Sequence, residues 1–276
     1  MTQNMYPEKK LQKLKRILKE MKGVVIAFSG GTDSALLLKV AVDALGEKVL
    51  AVTASSETYP REELKAAREI ACRLGVKHKR VKTGEWADVH FRANPVNRCY
   101  FCKKELFKTL AEIAGRENLP FVVDGTTRSD LSDFRPGSRA AKEFSVRHPL
   151  LEAGLTKKEV RVLSRKFSLP TAEKPAAACL ASRIPYGIPL TREALEKVAK
   201  AERYLRCRGV SGNIRLRYHQ EIARIEVDKY NFHKILDAHL KIAKYFKKIG
   251  FKFVVLDLEG YRTGSFNPTS RGRIPA

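Results

Sequence analysis

Gly23–Leu45 reads GVVIAFSGGTDSALLLKVAVDAL, and the rest of the architecture follows from this stretch. Gly23–Ser29 is a short β-branched run that ends in glycines, which predicts a buried strand. Asp33–Leu45 carries a run of leucines and valines at helical length. Between them stands Ser29-Gly30-Gly31-Thr32-Asp33-Ser34. A strand that enters a helix N-terminus through glycines is an anion cradle. The glycines permit close backbone approach, and the free N–H groups and the helix dipole attract phosphate. Ser29 and Ser34 add hydroxyl donors, and Thr32 or Asp33 can cap the helix. The pattern is neither G-x-x-x-x-G-K-[ST] nor G-x-G-x-x-G. The alternative is a plain glycine turn with a Ser/Asp cap.

Working outward, strand and helix signals alternate. Val49–Ala54 is a second buried strand, Arg61–Leu74 an amphipathic helix, and Lys77–Lys82 an alternating strand. Cys102–Glu117 then reads as a helix and Phe121–Asp124 as a strand. This order predicts an α/β class with a parallel sheet covered on both faces. Its carboxyl ends would carry Thr53-Ala54-Ser55 and Asp124-Gly125-Thr126-Thr127. Either segment suits an adenylate site and equally suits a turn. Upstream, Leu11, Leu14, Ile17, Leu18 and Met21 share one face of an N-terminal helix. Residues 125–137 read as a loop. Thr156–Phe167 reads as a helix, with Thr156 and Glu159 as a capping box. A proline-rich loop covers residues 168–189. From Leu190 the pattern changes to a smaller α+β module. It has a helix at 192–206, strands at 214–218 and 223–227, a long basic helix at 229–248 and a strand at 251–258. The expected domains are 1–187 and 188–276.

Composition narrows the function. Lys+Arg is 54 against 30 Asp+Glu in 276 residues, a net charge of +24. That charge suits nucleic acid, a strongly anionic small substrate, or a generally basic surface. Apolar runs such as Val24–Phe28 fall far below the ~20 residues of a membrane helix. The charged N-terminus lacks a signal core. Five cysteines suit a reducing interior, so a cytoplasmic location is expected. Cys99 and Cys102 form a C-x₂-C pair, half of a zinc or iron–sulfur set. Packing residues at a helix start would look the same. Cys72 and Cys207 fall within amphipathic helices.

The SGGTDS loop is the signature of the PP-loop ATP pyrophosphatases. Together with DGTTRSDLSDFRPGSRAA (124–141), CLASRIPYG (179–187), IRLRYHQEIARIEV (214–227) and LDLEGYRTGSFN (256–267), it resembles the LarE-type ATP-dependent sulfur transferases. The resemblance runs over nearly the whole chain. It implies an adenine-nucleotide alpha-hydrolase-like domain with ATP and Mg²⁺ as cofactors, Asp33 helping to hold the metal. It implies adenylation of pyridinium-3,5-biscarboxylic acid mononucleotide in nickel-pincer cofactor biosynthesis, for lactate racemase maturation. Cys179 matches the sulfur donor, with Lys174 and Arg183 close in sequence to favour its thiolate. Arg135, Arg183, Arg215 and Arg217 are candidates for substrate anions. Glu202 and Glu226 match acidic residues that can hold a metal near the donor. Oligomers are expected from the family. Two alternatives stay open. One is a recycled enzyme with a [4Fe–4S] cluster on Cys99, Cys102 and Cys179. The other is a tRNA-thiolating PP-loop enzyme.

Overall fold

The strand read at Gly23–Ser29 lies inside a four-stranded parallel sheet. The computed structural model describes residues 5–132, 135–175 and 178–266. In chain order the elements begin α1 (Met5–Met21), β1 (Val24–Ala27), α2 (Thr32–Leu45), β2 (Val49–Ser55), α3 (Arg61–Arg73), β3 (Lys77–Lys82) and α4 (Val89–Arg92). They continue with α5 (Arg98–Arg116), β4 (Phe121–Val123), α6 (Gly137–Glu143), α7 (Pro149–Glu152) and α8 (Lys157–Lys166). Last come α9 (Arg192–Cys207), β5 (Ile214–His219), β6 (Ile222–Val227), α10 (Phe232–Asp237), α11 (His239–Lys248) and β7 (Phe253–Leu256).

The chain forms two compact units, Met1–Asp88 with Asn97–Ala177, and Val89–Val96 with Ala178–Ala276. The second unit therefore starts ten residues ahead of the expected cut at 187/188 and also takes in α4. Hydrogen bonding explains both differences. Asn94 Nδ2 donates to the carbonyls of Pro185 and Ile188, both at 2.8 Å, and Arg217 Nη1 donates to Ser182 O at 2.9 Å. These bonds tie residues 89–96 and 178–188 to the second sheet.

In the first unit the strand order is β3-β2-β1-β4, parallel throughout, with Val24 opposite both Val49 and Phe121. A parallel bridge between Val123 and Arg147 lengthens the β4 edge. Alternation along β1 separates two cores. Val24, Ile26 and Phe28 join the leucines of α1 and α2, whereas Val25 joins Leu106, Phe107 and Leu110 of α5. Each such fully buried side chain contributes roughly 1.5–3 kcal/mol. All five apolar residues expected on one face of α1 are buried. The outer strand β3 exposes Lys77, Lys79, Arg80 and Lys82, charges that guard a sheet edge. The capping box forms as expected, with Thr156 and Glu159 closing the start of α8.

The second unit is a three-stranded mixed sheet, β5-β6-β7, with β5 antiparallel to β6 and β6 parallel to β7. The expected helix over 229–248 is broken into a short 3₁₀ turn, α10 and α11. His239 Nδ1 donates to Leu236 O at 2.7 Å, capturing a carbonyl that a continuous helix would have used internally. Three further expectations shift. α5 starts at Arg98, so Cys99 lies inside it with Cys102. A 3₁₀ turn, Arg128–Ser132, interrupts the loop after β4. Another, Leu180–Arg183, follows Cys179.

Candidate active site

The loop after β1 is shaped by close packing. Gly30 has φ +70, and a Cβ there would lie 2.9 Å from both Cα and Cβ of Ala67 on α3. Only glycine accepts that conformation and contact without strain. Gly31 is the N-cap of α2 and makes no side-chain cap bond. Ser34 Oγ reaches Gly31 O at 3.2 Å and Ser29 Oγ at 3.1 Å, which ties the two ends of the loop together. Thr32 Oγ1 donates to Thr171 O at 2.7 Å. The loop thus leads from β1 directly into the N-terminus of α2, the placement on which the expected anion cradle depends.

Gly125 brings the loop after β4 against this turn, since a Cβ there would meet Ser34 N at 3.0 Å. Asp124 Oδ1 accepts Thr126 N at 3.0 Å and His148 Nδ1 at 2.7 Å. Burial pushes the Asp124 carboxyl up, but the His148 hydrogen bond and the Lys103 charge outweigh it and bring it down to about 2. His148 moves the other way, raised by Asp124 against its own burial. Asp33 is pushed up from 3.8 to about 6, first by burial and then by the nearby Asp130 carboxylate. A half-buried carboxylate held against its own ionisation is suited to a divalent cation, whose charge would offset both effects.

Lys174, expected to assist the cysteine, donates instead to Gly30 O at 3.1 Å and to Glu63 at 2.7 Å. Its ammonium is thus tied to the loop after β1 and to α3. Arg161 Nη1 and Nη2 hold the carbonyls of Ala172 and Lys174 at 2.6 and 3.0 Å, which pins that segment. A cleft at the ends of β1 and β2 is lined by Ser29, Thr53, Ala54, Tyr59 and Lys103. The Thr53 hydroxyl is already engaged, donating to Phe28 O at 2.8 Å and meeting His78. Ser55, expected beside them, gives its carbonyl to Thr83 N at 3.3 Å. Arg135 pairs with Asp130 at 2.5 Å.

A second centre lies within the second unit. Cys179 is half-buried and caps the 3₁₀ turn, whose Ser182 N and Oγ donate to Cys179 O at 3.0 and 2.8 Å. Arg183 is only 2% exposed. Its Nε and Nη2 grip both oxygens of Glu202 at 2.8 and 3.0 Å, and Nη1 holds the carbonyls of Ala178 and Cys179 at 2.7 and 3.0 Å. Burial opposes the Arg183 charge, but Glu202 outweighs it and raises its pKa. Glu202 is correspondingly lowered, against its own burial, chiefly by Arg183. Arg183 is therefore a backbone clamp on the cysteine, where a substrate contact was expected. Arg217 is spent in the same way, on Glu226 Oε2 at 2.9 Å, Ser182 O and Ser265 Oγ, beneath Phe266. Glu226 also accepts Arg224 at 2.9 Å. Both glutamates proposed as metal ligands are thus halves of buried ion pairs. Arg215 packs over Tyr261, and burial together with the Arg183 charge lowers its pKa, so an anion there would relieve it.

Cys99 and Cys102 are half-buried on α5 and form no disulfide. Among the described residues no three or more His, Cys, Asp or Glu side chains gather to hold a metal ion. Sequence reasoning missed His148, Asp130, Lys157 and Ser265. Asp130 and Ser265 stand in the quoted 124–141 and 256–267 segments, and His148 and Lys157 gain meaning only through their contacts.

A family model described as NAD synthase matches residues 8–104, which span α1 to the first turns of α5. Over 91% of both chains, the protein is 37% identical to pyridinium-3,5-bisthiocarboxylic acid mononucleotide synthase of Lactiplantibacillus plantarum. The chain belongs to the LarE-type family of PP-loop proteins. An uncharacterized protein of Synechocystis is 44% identical over 94% of this chain and 97% of its own. An uncharacterized protein of Methanocaldococcus jannaschii is 33% identical over 92% and 98%. As a LarE-type protein the chain is an ATP-using enzyme, and the residues that the family model matches include the loop after β1. No helix among the described residues is long and apolar enough to cross a membrane.

Proposed function

We propose that this LarE-type protein is an ATP-dependent sulfur transferase acting on pyridinium-3,5-biscarboxylic acid mononucleotide, with Cys179 as sulfur donor. The observation that carries this reading is the match, over 91% of both chains, to a synthase of the bisthiocarboxylic acid mononucleotide. The residues supply the chemistry in order. The backbone of Gly31–Ser34 binds the phosphates of ATP, and a substrate carboxylate oxygen attacks the α-phosphorus, releasing pyrophosphate. Mg²⁺ held by Asp33 would screen phosphate charge when bound. The acyl adenylate then has a leaving group, AMP, and the Cys179 thiolate displaces it to give a thioester. Removal of the Cys179 Cα proton breaks Cβ–Sγ. The sulfur departs with the electron pair as a thiocarboxylate, and dehydroalanine remains. Arg215 serves the substrate phosphate, while Arg183, Arg217 and Glu202 keep the cysteine loop fixed.

The test is to incubate protein, Mg–ATP and the biscarboxylate nucleotide, then weigh protein and product. A loss of about 34 Da, the mass of H₂S, localised to Cys179 is expected after product forms. Product formed with Cys179 intact would overturn consumption of the cysteine and favour a recycled sulfur. Cys179→Ala should still release pyrophosphate yet form no thiolated product. Normal sulfur transfer by that variant removes Cys179 as donor.

A further inference from the structure

A short stub of chain extends the first sheet beyond β4. Val123 bridges Arg147 in parallel, Arg147 N donates to Val122 O at 3.0 Å, and Asp124 N donates to Arg147 O at 3.1 Å. The next residue, His148, precedes Pro149, which disfavours helical backbone there, and its φ is −125 with ψ 71. His148 thus stands at the carboxyl end of the sheet, beside Asp124. Open parallel sheets carry their ligand sites at that end.

His148 precedes α7 without a side-chain capping bond, and its backbone N–H donates to Glu152 Oε1 at 3.1 Å. The ring serves Asp124 instead, with Nδ1 donating to Oδ1 at 2.7 Å. Asp124 has only 12% of its side chain exposed, and the same oxygen accepts Thr126 N at 3.0 Å. That second bond turns the chain at Gly125. Gly125 in turn sits against the first turn of α2, where a Cβ would meet Ser34 N at 3.0 Å and Asp33 C at 3.2 Å. His148, Asp124 and Gly125 therefore form one line of contacts from the sheet edge to the start of α2. Besides each other, the charges that act most on His148 and Asp124 are Lys103 of α5 and Glu152 of α7. Burial opposes the Asp124 charge, and the His148 bond is the largest influence against it. Without that bond the carboxyl would take up its proton more readily, and a protonated oxygen is the weaker acceptor for Thr126 N.

We propose that His148 is a positioning residue for adenylation, whose bond to Asp124 holds the loop after β4 in place against the start of α2. This rests on the adenylation reading above. His148 acts through Asp124 and Gly125 and touches no reacting atom in this role.

Pyrophosphate release by the full chain, with Mg–ATP and the biscarboxylate nucleotide, tests this across roughly pH 6–9. His148→Ala should lower kcat/KM, relative to wild type at the same pH, by about tenfold or more at the acidic end. The deficit should shrink as pH rises, because Asp124 then regains its charge. His148→Asn places an amide N–H where Nδ1 stood and should recover most of the rate. His148→Gln, one methylene longer, should not. If His148→Ala does not fold, the Asn and Gln variants carry the same expectation between them. A wild-type rate in His148→Ala, a loss equal at every pH, or Asn no better than Gln overturns the positioning role while leaving adenylation standing. Wild-type protein that releases no pyrophosphate overturns both.

Discussion

At the scale of single residues, the proposed role of Asp33 makes a prediction about stability as well as activity. Its folded pKa of about 6 lies above the ordinary 3.8, so the fold holds the proton more tightly than the unfolded chain does. The stability tied to that proton is fully present below about 3.8 and is lost as pH rises through about 6. At pH 7.5 the ionised carboxylate therefore costs the metal-free fold something on the order of 1–3 kcal/mol. Asp33→Asn should raise the unfolding free energy at pH 7.5 and add little below pH ~4, as read by denaturant titration at both. The same variant should lose Mg–ATP-dependent pyrophosphate release. Unchanged release would remove Asp33 from the site. Gly30→Ala makes a separate case. The left-handed backbone alone costs an alanine roughly 1–2 kcal/mol, and the contact with the Ala67 backbone adds to it. A lowered melting temperature and weakened ATP binding should appear together, because the strained turn is also the cradle.

At the scale of elements, the buried pair Arg183–Glu202 joins the turn after Cys179 to α9, and Glu202 Oε1 also accepts Leu216 N of β5 at 3.0 Å. Removing one partner strands a buried charge, so Arg183→Met should destabilise by roughly 3–5 kcal/mol in denaturant melts. Arg183→Lys should rescue little, because one ammonium cannot reproduce a fork that grips two carboxylate oxygens and two carbonyls. Wild-type stability in either variant would show that the clamp does not hold the loop. These elements also show what a sequence can reveal. The strand–glycine–helix unit, the parallel sheet and the capping box at Thr156 were legible, because each depends on local periodicity or on spacing within a few residues. The roles of Arg183 and Lys174 were not. Both were placed by nearness in sequence to Cys179, yet their partners lie 19 and 111 residues away. The break at Ala238 was hidden as well, because no glycine or proline marks it and a histidine side chain sustains it.

At the scale of the whole molecule, the charge of +24 exceeds what the two sites use. Arg183 and Arg217 are neutralised internally, and Lys157 and Arg135 share one carboxylate. The surplus is spread over exposed faces. Lys9, Lys13, Arg16 and Lys19 lie on α1, the β3 lysines on the sheet edge, and Lys241, Lys244, Lys247 and Lys248 on α11. A dispersed surplus of this kind raises affinity for any polyanion without choosing among them, and that affinity falls steeply with salt. The tRNA alternative can therefore be separated from the small-molecule reading by how binding responds to salt. Transfer RNA should bind at low salt and weaken to roughly 10⁻⁴–10⁻⁶ M near physiological ionic strength, with no preference over other RNA of equal length. Filter binding across a salt series, with unrelated RNA as competitor, measures this. Submicromolar, selective binding that survives physiological salt would instead make RNA the carrier of the acceptor group, and the surface charge would then belong to substrate recognition.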